Sequence, residues 1–119
     1  MTGKEDLLVG VVGVCKSGKT TLCKGLKRHG YSARQIAQEH SGVADMWLQM
    51  TKPGVLIYLD VDYPETMRRG QPKWTEEDYE EEQRRLRHAR EHADLYIDTS
   101  GRGEEEVLRE VLEYLRKER

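Results

Sequence analysis

The sequence predicts an α/β domain in which a small parallel sheet of about four strands lies between two layers of helices. Two apolar runs, at residues 7–14 and 55–59, have the length and composition of strands that are buried on both faces. Helical patterns alternate with the strand patterns along the chain, which is typical of a parallel sheet with helices on both faces. With 119 residues, the chain is predicted to form one domain over residues 1–119.

The first half of the chain alternates strand, helix and strand. After a polar tail at residues 1–5, we expect a strand from about Leu7 to Val14 and a helix from about Gly18 to His29. The weakly alternating residues 31–37 predict a second strand, because they follow a helix and a glycine. Ser41 is expected to cap a short helix, whose apolar positions have helical spacing: Val43, Met46, Trp47 and Met50.

The third strand is the clearest in the sequence. Val55 to Leu59 are all apolar, and Asp60 closes the run. Pro64 then favours the start of a helix. Thr75 has the features of an N-cap, with acidic residues in the turn that follows, so we expect a second, highly charged helix from there to about His92. Its apolar stripe is limited to Tyr79, Leu86, Ala89 and Ala93.

The chain ends with a strand and a helix. Residues 95–97 predict the fourth strand, which ends in Asp98 to Gly101. The last helix is expected to begin near Gly103, with three glutamates in its first turn. Its apolar face has regular helical spacing: Val107, Leu108, Val111, Leu112 and Leu115.

The most specific motif is GVCKSGKT, Gly13 to Thr20, which fits the phosphate-binding pattern G-x-x-x-x-G-K-[ST]. Gly13 and Gly18 let the backbone turn tightly and approach a polyanion, and the successive N–H groups form an anion-binding nest. Lys19 supplies a positive charge for the β- and γ-phosphates, and the Thr20 hydroxyl is suited to Mg²⁺. The helix that follows presents its positive end to the same phosphates. We call residues 13–20 the phosphate loop, and the predicted nucleotide-binding residues in and next to it are Gly13, Lys16, Ser17, Gly18, Lys19, Thr20 and Thr21.

The composition limits the expected partners. The net charge is −2, and the 35% of charged residues are of mixed sign, so no general attraction to nucleic acid or to membranes is predicted. No apolar run approaches the roughly 20 residues of a membrane span, and the first residues do not have a signal-peptide pattern. The two cysteines do not suggest a disulfide framework. We therefore expect a cytoplasmic protein with reduced thiols and with neither nucleic acid nor a membrane as a partner.

Three stretches resemble the small P-loop kinases, the group of adenylate, shikimate, gluconate and nucleoside kinases. They are residues 13–20, residues 55–69 (VLIYLDVDYPETMRR) and residues 84–101 (RRLRHAREHADLYIDTSG), which together make up about one third of the chain. The resemblance implies the P-loop NTPase fold, a three-layer sandwich that binds ligand at the carboxyl ends of the strands. It also implies ATP and Mg²⁺ as cofactors and a lid-like segment at about residues 68–90.

The resemblance implies roles for several residues outside the phosphate loop. Arg68 or Arg69 would lie against the adenine or the phosphates, and residues 99–101 (Thr99, Ser100 and Gly101) would contact the base. Arg84 and Arg87 would reach the transferring phosphoryl group from the lid, since the guanidinium fork suits that charge. The alternative for these lid arginines is surface pairing, because Glu80–Arg84 and Glu81–Arg85 have the favourable i, i+4 spacing.

The chain departs from these relatives in length. Only residues 41–54 separate the second and third strands, too few for the additional strand that normally carries the Walker B acid. The resemblance therefore implies a reduced fold of four strands rather than five. Either Asp60 serves as the metal-binding acid, or it ends the lid-side strand and the metal acid is missing or replaced.

Glu39 is the best candidate for the catalytic base on the acceptor side. In the kinases that the chain resembles, an acid after the second strand orients or deprotonates the acceptor hydroxyl. The alternative for Glu39 is a solvated strand end, and for the neighbouring His40 a solvated side chain is favoured. Met46 and Trp47 either line an acceptor pocket or belong to the core, and Trp74 either closes over a ligand or anchors the lid.

The sequence thus predicts an ATP-dependent phosphotransferase that acts on a small metabolite, nucleoside or nucleotide. Its partners would be a nucleoside triphosphate and a small-molecule acceptor. The alternative is a nucleotide-binding module or slow NTPase without its own acceptor, which the missing strand favours. A GTPase is less favoured, because the guanine signature N-K-x-D is not found. The thin core is also compatible with a homodimer that buries the sheet edge or the Met46–Trp47 face.

Overall fold

A computed structural model describes residues 7–71 and 73–117. The polar tail predicted at residues 1–5, and Pro72 of the loop before Thr75, lie outside the described residues. Within these ranges the strands are β1 (Leu8–Gly13), β2 (Ser32–Gln35), β3 (Val55–Asp60) and β4 (Leu95–Asp98). The helices are α1 (Lys19–Arg28), α2 (Met46–Met50), α3 (Tyr63–Arg68), α4 (Glu76–Arg85), α5 (Arg87–His92) and α6 (Glu104–Lys117), with a 3₁₀ turn at Gln38–His40.

The four strands form one parallel sheet in the order β2-β1-β3-β4, which confirms the prediction of a small parallel sheet. β1 and β3 are its central strands, and Val9 pairs with Val55 and Gly13 with Leu59. Their central position explains why they are the most apolar runs in the sequence. β2 lies at one edge and buries only Ala33 among its four residues, which accounts for its weak alternation.

Helices cover both faces of the sheet. On one face α1 and α6 pack on alternate residues of the central strands; the residues that carry this contact include Leu22, Leu26, Val111, Leu115, Val9, Val11 and Ile57. The apolar face predicted for α6 is fully buried. On the other face α2, α4 and α5 pack on the remaining strand residues; the contributors include Trp47, Leu86, Ala89, Val12, Leu56 and Tyr58. Because all four strands are parallel, their carboxyl ends lie at the same edge of the sheet.

Two local predictions about helix starts can be compared with the structure. Thr75 is confirmed as an N-cap, and it forms a capping box in which its hydroxyl accepts from Asp78 N. Ser41 is wrong as a cap, because α2 begins at Met46 after Asp45, and the Ser41 hydroxyl instead accepts from the N–H of Val43.

The helix predicted from Thr75 to His92 is interrupted at Leu86. The backbone there has φ −94° and ψ −4°, which separates α4 from α5, while the Leu86 side chain is completely buried. The charged segment from Glu76 to His92, which has only a narrow apolar stripe, is thus anchored to the core by Leu86, the residue at which the helix is interrupted. None of the helices in the described part of the chain has the length and apolar composition that a membrane crossing requires.

Candidate functional site

The phosphate loop joins β1 to α1 at the carboxyl edge of the sheet. Gly13 lies so close to β3 that an added Cβ would be 2.2 Å from the carbonyl oxygen of Leu59, so only glycine fits there. Lys16 and Gly18 have φ values of 69° and 107°, in the left-handed region. When left-handed and right-handed residues alternate, successive backbone N–H groups point to one side, as an anion-binding nest requires. The loop therefore has the left-handed residues of a nest, while the N–H groups of Cys15 and Ser17 donate to the Glu82 carboxylate and the Val14 carbonyl.

Lys19 is the central charge of the site. Its ammonium group donates to the carbonyl oxygens of Gly13 and Val14, at 2.8 Å and 3.1 Å, and lies 3.0 Å from Glu39 Oε2. The side chains of Lys19 and Glu39 are only 8% and 6% exposed. Burial of a charge is unfavourable unless it is paired and hydrogen-bonded, so this pair needs both partners. The structure thus brings together the two residues predicted to handle phosphate and acceptor.

Two buried polar atoms beside this ion pair have no hydrogen-bond partner within the described part of the chain. They are Ser17 Oγ and Glu39 Oε1. An unsatisfied buried polar atom costs about 1–3 kcal/mol, so such atoms are rare unless a water, an ion or a ligand completes them. Both atoms belong to predicted site residues, and both are suited to a polar ligand.

The side of the loop that faces β4 is basic. Arg69 donates to the Lys16 carbonyl at 2.9 Å, and to the hydroxyl and carbonyl of Thr99 at 3.1 Å and 2.7 Å. Arg68 is exposed and pairs with Glu65, which also accepts from Arg69. Hydrogen bonds from Arg68 and Arg69 hold the pKa of Glu65 below its usual range. Arg69, but not Arg68, therefore bridges the phosphate loop and the loop after β4.

The loop after β4 is fixed to its neighbours. Thr99 is buried, and its hydroxyl lies 2.9 Å and 3.1 Å from the carbonyl oxygens of Ser17 and Asp60. Ser100 accepts from the N–H of Asp62 at 2.8 Å, and Gly101 has a φ of 71°. Residues 99–101 thus lie at the same edge as the phosphate loop, as predicted.

A cavity of about 560 Å³ opens between these elements. Residues 16–22 line one wall, which places Thr20 and Thr21 of the first turn of α1 within it. Arg69, Thr99 and Arg102 also line the cavity, next to the loop. Its volume is within the range of about 300–1,000 Å³ typical of small-molecule sites. Arg102 was not a predicted site residue, since nothing in its sequence context distinguishes it from other surface arginines.

The opposite side of the phosphate loop is acidic. Glu82 of α4 is buried, and its carboxylate accepts from the Cys15 N–H at 2.9 Å and from the Cys15 thiol at 3.1 Å. Burial and this carboxylate raise the pKa of Cys15 to about 12. His40 Nε2 lies 3.9 Å from the Cys15 sulfur and 3.7 Å from Glu39 Oε2. We call Cys15, Glu39, His40 and Glu82 the acidic side of the loop.

Sequence reasoning did not identify Glu82, although a signal was present. Tyr79, Glu82 and Leu86 are spaced i, i+3, i+7, so Glu82 interrupts the apolar stripe of its helix. A carboxylate at a position that must face the sheet requires a buried partner. Here that partner is the phosphate loop.

The carboxylate of Asp60 is held by side chains of α4, α5 and β4. It accepts from Tyr96 OH at 2.6 Å and from Gln83 Nε2 at 3.1 Å, and Arg90 lies 3.8 Å from it. Burial and the hydrogen bond to Asp60 raise the pKa of Tyr96. The aspartate is therefore part of a polar cluster on the α4–α5 face, and would have to give up these contacts to bind a metal.

The lid arginines lie on the outer surface of α4 and α5. Arg84 pairs with Glu81 rather than with Glu80, and Arg85 lies 3.1 Å from Glu81, as the i, i+4 spacing predicted. Arg87 is exposed. None of the contacts made by Arg84 or Arg87 within the described residues is with the phosphate loop. The predicted i, i+4 pair between Glu80 and Arg84 is wrong, because the Arg84 guanidinium pairs with Glu81, three residues before it.

Both tryptophans anchor helices. Trp47 is buried in the core, where its indole N–H donates to His88 Nδ1 at 3.1 Å. Trp74 donates to the Thr66 hydroxyl at 2.9 Å and packs edge-on against Tyr79. The structure favours the core alternative for Trp47, and it places Trp74 against Thr66 of α3 and Tyr79 of α4.

No protein-family model matches the chain, and no curated protein sequence matches it. Any functional assignment therefore depends on the residues of the site and their geometry.

Proposed function

We propose that this protein is an ATP-dependent phosphotransferase of the P-loop kinase type, which transfers a phosphoryl group to a small molecule that bears a hydroxyl group. The observation that carries the proposal is the position of Lys19. Its buried ammonium group lies at the carboxyl edge of the sheet, is held by phosphate-loop carbonyls, and lies 3.0 Å from a buried carboxylate. A paired acid and base on either side of a glycine-rich turn suit phosphoryl transfer, which depends mostly on positioning and charge.

The residues at the edge of the sheet fit a nucleoside triphosphate. The loop has the left-handed residues that a nest requires, at Lys16 and Gly18, and Ser17 Oγ is a buried atom that still needs a partner among the described residues. The adjoining cavity of about 560 Å³ carries two arginines for phosphate or base contacts. Arg69 and Thr99 would fix the nucleotide beside the loop, and Lys19 would exchange its loop carbonyls for phosphate oxygens.

Mg²⁺ is expected to accompany the nucleotide. It is usually held by one or two protein groups together with phosphate oxygens and waters, and the Thr20 hydroxyl in the first turn of α1 fits that role. Asp60 fits less well, because its carboxylate is occupied by Tyr96 and Gln83. When bound, the ion supplies charge neutralisation for the transferring phosphoryl group.

Glu39 is suited to the acceptor. Its free Oε1 could accept the proton of the acceptor hydroxyl while Oε2 remains near Lys19. The acceptor oxygen then forms a bond to the γ-phosphorus, the bond to the β-phosphate oxygen breaks, and the proton stays on Glu39. General-base catalysis of this kind contributes about 10²–10⁴-fold to a rate.

A nucleotide-binding module or slow NTPase is the second candidate. The position of Asp60 favours it, because no other carboxylate among the described residues was predicted to bind the metal. The Glu82 carboxylate also favours it, because it already accepts from the N–H of Cys15 in the loop. In this alternative the protein binds a nucleotide but no acceptor stimulates turnover.

The experiment that separates the two candidates measures ADP formation from ATP and Mg²⁺ in the presence of a panel of polyols, sugars, nucleosides and nucleoside monophosphates. The phosphotransferase proposal predicts that one class of hydroxyl compound stimulates ADP formation at least about tenfold and becomes phosphorylated. Glu39→Gln should then lower the stimulated rate by about 100-fold or more without weakening ATP binding. ATP binding that no acceptor converts into stimulated turnover would instead support the binding module.

A further inference from the structure

Three residues on the acidic side of the phosphate loop come from separate elements and present metal-binding atoms to one point. Cys15 belongs to the loop after β1, His40 follows β2, and Glu82 lies on α4. Their ligand atoms all lie within 4.8 Å of one another. Neither the motif nor the proposed phosphoryl transfer requires a thiol, an imidazole and a carboxylate to meet here.

The distances within this group are close to those of a tetrahedral metal site. Zn²⁺ binds sulfur at about 2.3 Å and nitrogen or oxygen at about 2.0–2.2 Å, so its ligand atoms are separated by roughly 3.4–3.6 Å. The Cys15 sulfur lies 3.1 Å from Glu82 Oε2 and 3.9 Å from His40 Nε2. These values bracket the tetrahedral separation, and small side-chain rotations are enough to reach it.

The chemistry of the three ligands selects for zinc. Thiolate and imidazole favour Zn²⁺ over the hard cations Mg²⁺ and Ca²⁺, which prefer oxygen ligands. A thiolate and a carboxylate together balance the two positive charges of the ion. Three protein ligands leave the fourth position open for water or another ligand.

The surroundings support the same assignment. The other oxygen of the Glu82 carboxylate accepts from the Cys15 N–H at 2.9 Å, which orients Oε2 toward the sulfur. Hydrogen bonds of this kind fix metal ligands in place. The His40 side chain is 60% exposed, so an ion can enter from solvent. Glu39, whose Oε2 lies 3.7 Å from His40 Nε2, is paired with Lys19, so the two charges beside the cluster balance each other.

We propose that Cys15, His40 and Glu82 form a Zn²⁺-binding site that links the phosphate loop to α4 and to the turn after β2. Binding releases the thiol proton to solvent and leaves Cys15 as a thiolate ligand. The site would be distinct from the Mg²⁺ position at Thr20, because it lies on the acidic side of the loop. It goes beyond the proposed phosphotransferase activity and does not depend on a nucleotide.

The test uses Co²⁺ as a spectroscopic substitute for Zn²⁺, with the full chain purified without a histidine tag. We expect one equivalent of Co²⁺ to produce thiolate-to-cobalt charge-transfer absorption together with the intense visible bands of a four-coordinate ion, and Zn²⁺ to displace it. Cys15→Ser, which preserves volume, should abolish the charge-transfer band and weaken Zn²⁺ binding by at least about 100-fold. Glu82→Gln and His40→Ala should each weaken binding by about tenfold or more.

Matched controls use the same residue types outside the cluster. Cys23→Ala and His92→Gln should leave the cobalt spectrum unchanged. A second readout needs no variant: Zn²⁺ should slow alkylation of Cys15 at least tenfold and leave alkylation of Cys23 unchanged. The proposal is overturned if Co²⁺ gives no charge-transfer band, if the band survives in Cys15→Ser, or if Zn²⁺ protects neither thiol or both thiols equally.

Discussion

The two sides of the phosphate loop differ in charge. On the side of β4, Lys16, Arg69 and Arg102 line the cavity together with the carboxylates of Glu65 and Glu104, and Arg69 binds the loop directly. On the other side, the carboxylates of Glu39 and Glu82 reach the loop through Lys19 and Cys15. Cations outnumber carboxylates on the first side but not on the second, so a polyphosphate is attracted more strongly to the first. We therefore expect the nucleotide on the basic side, and on the acidic side an acceptor or an ion that is neutral or positive.

This contrast refines the expected acceptor. An acceptor that already carries a phosphate needs cations in its pocket, whereas hydroxyl groups are well bound by carboxylates. The lid arginines that would supply such cations, Arg84 and Arg87, are exposed on the outer surface of α4 and α5. The arrangement favours a nucleoside or another polyhydroxyl compound over a nucleotide as the acceptor.

The largest effect on nucleotide affinity is expected from Lys19→Ala, which removes the positive charge of the phosphate loop that pairs with Glu39. Hydrogen bonds to charged groups are worth about 1.5–3 kcal/mol, so ATP affinity should fall by about 10- to 150-fold and turnover should be lost. Isothermal titration calorimetry measures the affinity. Lys24→Ala, an exposed lysine on the same helix, is the control and should bind ATP normally. Undiminished ATP turnover in Lys19→Ala would exclude the phosphate loop as the nucleotide site.

A smaller effect is expected from Arg69→Ala, which tests the basic side alone. The variant loses the bridge between Lys16 and Thr99 as well as a cation in the cavity, so ATP affinity should fall about tenfold. Its neighbour Arg68 is exposed and pairs only with Glu65 in the described part of the chain. Arg68→Ala should therefore change ATP affinity less than twofold. Equal losses in the two variants would mean that the cavity is not the nucleotide site.

The smallest effect on nucleotide affinity is expected from Glu82→Gln, which tests the acidic side. ATP affinity should change less than about threefold, with any change toward tighter binding, because a negative charge near the loop is removed. The same change removes a carboxylate that raises the pKa of Cys15, so that pKa falls toward its ordinary value and more thiolate is present at pH 8. Alkylation of Cys15 in chelator-treated protein should then be faster, as peptide mass spectrometry can measure. A large loss of ATP affinity would show that the acidic side takes part in nucleotide binding.

The elements that depend on local pattern were predicted well. The turn between β1 and α1, the buried strands β1 and β3, the capping box at Thr75 and the apolar face of α6 all depend on residues close together in the sequence. Their physical causes are turn geometry, burial on both faces, capping and helical spacing. Such causes can be identified without knowing the tertiary structure.

The features that were missed depend on contacts between distant segments. Glu82 reaches Cys15 across 67 residues of sequence. The sequence pattern around Asp60, an aspartate after a run of apolar residues, is the same whether its carboxylate faces the phosphate loop or Tyr96. Only the packing of α5 and β4 decides between these two orientations. Ser41 failed as a cap because the buried amide of Gln38 accepts from the N–H of Trp47 and fixes where α2 starts.

The central claim is that the phosphate loop and its basic side bind a nucleoside triphosphate. The most direct test is the thermal stability of the protein with ATP, GTP, ADP, nucleoside monophosphates and adenosine, each with and without Mg²⁺. At a ligand concentration 100 times Kd, binding stabilises the folded state by about 2.7 kcal/mol, which raises Tm by several degrees. We predict this shift for at least one nucleoside triphosphate with Mg²⁺, little shift for adenosine, and loss of the shift in Lys19→Ala. The absence of a shift with every nucleotide would contradict the claim.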